Sequence, residues 1–119
     1  MPIELTATEA LGLWHRVSLE EVRGEASDLT LRQMAILLQI YLVPPPHTVR
    51  GLAETLGVTK PVITRALDRM GELGLVDRVR DDRDRRNVVI KRTVGGALYL
   101  EKLGDLIIRE ARRAASERN

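Results

Sequence analysis

The feature that most constrains the fold is the segment TVRGLAETLGVTKPVITRALDRMGELG, residues 48–74. It carries two apolar stripes at helical spacing. Val49, Leu52, Ala53 and Leu56 make the first, and Ile63, Ala66, Leu67, Met70 and Leu73 make the second. Only the link Gly57 to Lys60 separates them. Thr48 can cap the first helix, and Gly57 supplies its left-handed exit. Thr59 is the expected N-cap of the second helix, Pro61 sits in its first turn where a missing N–H costs nothing, and Gly74 closes it. Two short helices joined this tightly read as a helix-turn-helix.

The flanks extend this layout. Thr6 with Glu9 forms a capping-box pattern ahead of a helix over about 7–23, in which Ala10, Leu11, Trp14, Val17, Ser18 and Val22 recur at spacings of three and four. Thr30 with Gln33 repeats the box before LRQMAILLQIYLV, apolar enough that most of its circumference should be covered. Pro44, Pro45 and Pro46 end that helix. After Gly74, LVDRVR and NVVIKR read as the two strands of a hairpin whose tip lies in RVRDDRDRR, residues 78–86. Thr93 and Gly95-Gly96 precede a last helix lined by Leu100, Leu103, Ile107, Ala111 and Ala114. The expected architecture is mainly α with a small β-hairpin. One domain spans 1–119: an N-terminal helix over 1–29, a winged helix-turn-helix core over 30–92 and a C-terminal helix over 93–119.

Composition removes several function classes. Without cysteine there is no disulfide, thiol nucleophile or cysteine metal site. His15 and His47 are the only histidines, too few for a histidine-rich metal site, and His47 beside three prolines reads as a loop residue. No Gly-rich phosphate loop or clustered carboxylates support a catalytic constellation, so no enzyme activity and no cofactor are expected. There is no Phe, and Trp14 is expected in an aliphatic core. The first residues lack a basic start followed by an apolar run, and no stretch approaches about 18 apolar residues. A cytoplasmic protein with no membrane association is therefore expected.

Charge is unevenly spread. Residues 1–47 hold three Arg against six acids, while residues 48–92 hold eleven Lys or Arg against seven acids, so a polyanion should meet the middle of the chain. With Ile63, Ala66, Leu67 and Met70 facing inward, the second helix of the pair leaves Lys60, Pro61, Thr64, Arg65 and Asp68 outside. Lys60 and the helix N-terminus favour phosphate, the hydroxyls of Thr59 and Thr64 can bond phosphate or base, and Arg65 can fork onto guanine. The five arginines and three aspartates of residues 78–86 are also what a solvated turn looks like. The adjacency of helix and charged hairpin, which face one side in a winged helix, favours a binding surface for double-stranded DNA. A winged-helix module that docks on protein without sequence-specific DNA binding is the alternative.

The pieces LA, GVTKPVITR, LDRM, LGLVDR and the Asp-x-Arg at Asp84 and Arg86, with Thr93 and Gly96 beyond them, strongly resemble the winged-helix core of the multiple-antibiotic-resistance regulator (MarR) family over about residues 29–100. The resemblance implies a recognition helix at about 60–73, with Thr59, Lys60, Pro61, Thr64 and Arg65 at the major groove. It implies a wing at 81–86, with Arg86, oriented by Asp84, in the minor groove and Arg83 and Arg85 near phosphates. It implies a sequence-specific transcriptional regulator, a repressor on a pseudo-palindromic promoter site, acting as a homodimer through its first and last helices. Two departures stand out. Arg92 replaces a leucine expected before the Thr, and the 26 residues after Thr93 suffice for one long helix rather than the usual pair. The family often senses small phenolic or lipophilic acids. Trp14, His15 and Arg16 offer stacking, a hydrogen bond and a counter-charge, but not together from one helix, and no effector is assigned.

Overall fold

The computed structural model describes residues 4–25 and 28–117. The end of the expected last helix, at residues 118–119, lies outside them. The element order is α1 (Ala7–Arg23), α2 (Leu31–Leu42), β1 (His47–Thr48), α3 (Val49–Leu56), α4 (Lys60–Glu72), β2 (Val76–Arg80), β3 (Val88–Arg92) and α5 (Val94–Ser116). The chain divides into two compact units, Leu29–Tyr99 and Met1–Asp28 with Leu100–Asn119.

In the Leu29–Tyr99 unit, helix starts follow local side-chain chemistry. Thr30 and Gln33 close a reciprocal capping box on α2 (both bonds 2.9–3.1 Å), and Thr48 Oγ1 accepts from Gly51 N–H at 3.0 Å on α3. α3 ends at Gly57, whose φ of 68° is the left-handed exit that puts its own N–H and that of Val58 on the carbonyls left open by the last turn. The core joins Ile36, Leu37 and Ile40 of α2, Leu52 and Ala53 of α3, and Ile63, Ala66, Leu67 and Met70 of α4, with Val76 and Ile90 from the sheet. Each fully buried Leu or Ile contributes about 1.5–3 kcal/mol. This shared burial fixes α4 with its opposite face outward.

Several expectations need correcting. The hairpin is part of a three-stranded antiparallel sheet of order β1-β3-β2, because His47 and Thr48 pair with Ile90 and Val89. His47 is thus a buried strand residue, its Nε2 2.9 Å from the Val43 carbonyl, and not a loop residue. Thr59 stands at the N-cap of α4 in extended backbone, but its hydroxyl makes no capping bond. α2 is covered around most of its circumference, as its composition implied, and Leu31, Arg32, Ala35 and Leu42 make the one exposed arc. Arg92 closes its far end: Nε donates to the Ile40 carbonyl at 2.9 Å and a terminal N–H to Val43 at 3.0 Å. That is the use of an arginine where a leucine was expected. Gly95 and Gly96 lie inside the first turn of α5, not ahead of it, with Thr93 Oγ1 accepting from Gly96 N–H at 2.9 Å.

In the other unit, Thr6 and Glu9 form the expected capping box on α1. Arg16 Nε donates to Glu110 Oε2 of α5 at 2.9 Å, with the glutamate buried. The buried positions of α5 here are Leu103, Leu106, Glu110 and Ala114, so the inward stripe is turned from the expected one and Ile107 is exposed. On α1 only Val17 is buried. Trp14 is 52% exposed and is not core, and Leu11 and Val22 are exposed with it. No helix among the described residues is long and apolar enough to cross a membrane.

Candidate nucleic-acid interface

The buried stripe of α4 dictates what the helix presents. Lys60, Pro61, Thr64 and Arg65 are exposed in its first two turns, and Thr59 precedes them. Because Thr59 spends nothing on capping, its hydroxyl stays available to an outside partner. Among the described residues, the side chains of Lys60, Thr64 and Arg65 have no hydrogen-bond or ion-pair partner. Asp68, one turn further, is committed: it accepts from Arg78 of β2 at 2.8 Å and ties the helix to the sheet.

The wing is built by its aspartates. β2 and β3 pair from Val76↔Arg92 to Arg80↔Val88, and the tip closes where Asp81 N–H donates to the Asn87 carbonyl at 3.0 Å and Asn87 N–H to the Asp84 carbonyl at 2.9 Å. Asp81 Oδ1 accepts from Arg83 N–H at 2.9 Å, and Asp84 Oδ1 accepts from Arg86 N–H at 3.1 Å. These carboxylates hold the backbone in turns, as short acidic side chains do. Asp84 Oδ1 also takes Arg86 Nε at 3.2 Å, while that arginine is 91% exposed. An ion pair this open adds little stability. It does aim the guanidinium. Arg80 donates to the Arg85 carbonyl at 2.8 Å and braces the tip from its strand side.

Lys60 and Thr64 of α4 and Asp84 and Arg86 of the wing share one concavity of about 540 Å³, which Thr48 at the N-cap of α3 and Arg50 in its first turn also line. Thr59, Pro61, Arg65, Arg83 and Arg85 are exposed but do not line it. Sequence reasoning missed Arg50 and Asn87, which do. Arg50 had a signal, since it lies on the wet side of a helix whose apolar face is Val49, Leu52, Ala53 and Leu56. Asn87 had none beyond adjoining the charged tip. The arrangement is a cationic surface drawn from α3, α4 and the wing. Among the described residues no group of three metal-ligating side chains forms.

Known structures share this fold. A mutant of S. aureus MepR bound to an oligodeoxyribonucleotide superposes with a TM-score of 0.75 at 22% identity, covering 95% of this chain and 84% of that one. A mutant of E. coli MarR complexed with operator DNA matches at 26% identity and a TM-score of 0.67, over 93% of this chain and 74% of that one. The PcaV transcriptional regulator of Streptomyces coelicolor, in complex with its natural ligand, matches at 27% identity and 0.63, over 87% and 71%. The sequence itself matches the MarR family over residues 27–87, half of its length and all of the helix-turn-helix and wing tip. The chain belongs to the MarR family of winged-helix transcription regulators.

Proposed function

We propose that this protein is a sequence-specific DNA-binding repressor that occupies a pseudo-palindromic promoter site as a homodimer in the cytoplasm, with α4 in the major groove and the wing at the minor groove. The observation that carries this reading is the single concavity shared by Lys60 and Thr64 of α4 and Arg86 of the wing, in a chain of this family. Thr59, Lys60, Pro61, Thr64 and Arg65 are assigned to the major groove, and Arg65 is the reading residue because a guanidinium can fork onto guanine O6 and N7. Arg86, aimed by Asp84, is assigned to the minor groove, where a narrow A·T-rich stretch concentrates negative potential. Arg83 and Arg85 are assigned to flanking phosphates. The operator-bound E. coli relative supports the choice of ligand. PcaV was solved with its natural ligand, but no effector is assigned to this chain.

The test is fluorescence anisotropy on random duplex DNA and on duplex selected from a random pool, across a salt series. Affinity should fall steeply with salt, by orders of magnitude for several phosphate contacts. Arg65→Ala should lose about 1–3 kcal/mol of discrimination at one base pair of each half-site. Arg83→Ala should weaken all sequences alike and flatten the salt slope. Absence of binding at about 50 mM salt would reject the DNA reading in favour of a protein-docking module.

A further inference from the structure

We propose that the concavity between the first turn of α3 and the tip of the wing seats one phosphodiester of the DNA backbone, with Arg50 and Asn87 as its dedicated ligands beside Lys60. The proposal rests on the reading that this chain binds DNA, and it adds a contact by α3 to those of α4 and the wing tip. Around the concavity stand three cations, Arg50, Lys60 and Arg86, against one carboxylate, Asp84. That carboxylate does not neutralise the other two, because its Oδ1 already holds the Arg86 N–H and Nε. Among the described residues, Arg50 and Lys60 have no side-chain partner.

The neutral groups point the same way. Both backbone groups of Asn87 are spent on closing the wing tip, so its side-chain amide is what it can offer outward. Thr48 Oγ1 accepts from Gly51 N–H and keeps its O–H to donate, and the Thr64 hydroxyl on α4 is a second neutral donor. Together these supply a guanidinium, an ammonium, an amide N–H₂ and two hydroxyls. This set is rich in donors and positive in charge. It suits an anion whose oxygens only accept, whereas a base edge in the major groove offers donors and acceptors in mixed patterns. A volume of about 540 Å³, open to solvent, admits a phosphate that stays covalently part of a strand. Seated there it would bridge α3, α4 and the wing, and so set how deeply the recognition helix enters its groove, since backbone contacts fix register.

The experiment uses the full chain in anisotropy titrations with selected and random duplexes, comparing wild type, Arg50→Ala, Arg50→Lys and Asn87→Ala. Arg50→Ala should weaken both duplexes by the same factor and lower the log–log salt slope by about 0.9 for each bound chain, about 1.8 for the dimer, while Arg50→Lys keeps the slope. Should the alanine variant fold poorly by circular dichroism, Arg50→Gln removes the charge and keeps the bulk. In a set of duplexes each bearing one neutral methylphosphonate, one position per half-site should weaken wild type and leave Arg50→Ala unchanged. An unaltered salt slope in Arg50→Ala, with wild type still binding DNA, overturns the phosphate seat alone; failure of wild type to bind any duplex overturns the DNA reading beneath it. Competition by inorganic phosphate at fixed ionic strength, without a position-specific methylphosphonate effect, would assign the concavity to a free anion and also overturn the proposal.

Discussion

Tyr41 is the residue on which the base of the wing turns. Its hydroxyl accepts from Thr93 N–H at 2.9 Å and donates to the Leu75 carbonyl at 2.7 Å, while Thr93 Oγ1 donates to the Gly74 carbonyl at 2.7 Å. Arg92 lies over the same ring, 5.8 Å from its centroid. The end of α2, the entry to β2 and the start of α5 thus meet at one phenol. Gly96 is required by this crowding: a Cβ there would collide with the Tyr41 hydroxyl and the Leu75 carbonyl. Gly71 of α4, by contrast, would point a Cβ into open space. The two glycines should respond with opposite signs. Gly71→Ala should gain about 0.5–1 kcal/mol, the usual helix preference for alanine over glycine. Gly96→Ala should lose about 1–3 kcal/mol, because overpacking against backbone outweighs that preference. Urea unfolding of the two variants measures both. A stabilised Gly96→Ala would mean that the Tyr41 junction yields easily.

Among the elements, the wing shows best what short acidic side chains do between arginines. Asp81 and Asp84 bond backbone N–H groups two residues on, so the exposed tip is a pair of side-chain-stabilised turns. Asp84→Ala should therefore loosen the tip and cost about 0.5–1.5 kcal/mol, the usual worth of one hydrogen bond. It should lower the ratio of selected to random duplex affinity by freeing Arg86 from one orientation. Equal selectivity in parent and variant, read by anisotropy, would end the steering role of Asp84. The local character of such bonds also explains what could be read before the structure. Thr6 with Glu9, Thr30 with Gln33, and Thr48 ahead of Gly57 are patterns within one or two helical turns, and the elements they announce stand where expected. β1 could not be read, because two residues after three prolines become a strand only by pairing with Ile90 and Val89 some forty residues later. Trp14 failed for a related reason: periodicity reports that a helix has an apolar face, and says nothing of what covers it. Arg50 was legible only as a wet-face arginine, because the concavity it lines is completed by Asp84, Arg86 and Asn87 of a wing more than thirty residues later.

On the scale of the molecule, that uncovered face is the feature to account for. Leu11, Trp14 and Val22 follow one another at helical spacing on α1 and are 69%, 52% and 66% exposed, and Ile108 of α5 is 50% exposed. Single exposed aliphatics are ordinary on a protein surface, but a stripe of large apolar side chains along one helix marks an association surface. A second copy of the chain is the occupant that the proposed function requires. Two recognition helices must reach major grooves about 34–36 Å apart, and a rigid dimer is how one short chain does so. Trp14 makes the test direct, because it is the only tryptophan in the sequence. Diluting the protein should move its emission to longer wavelength as the ring passes from the dimer contact into water, at the concentration where sedimentation shows the mass halving. Trp14→Glu, which places a charge in that contact, should give a monomer at concentrations where the parent is dimeric. The variant should then lose the advantage of a two-half-site duplex over a single half-site while keeping the salt slope of one winged unit. Emission and mass that do not change with dilution, together with wild-type operator binding by Trp14→Glu, would place the dimer contact elsewhere on the chain.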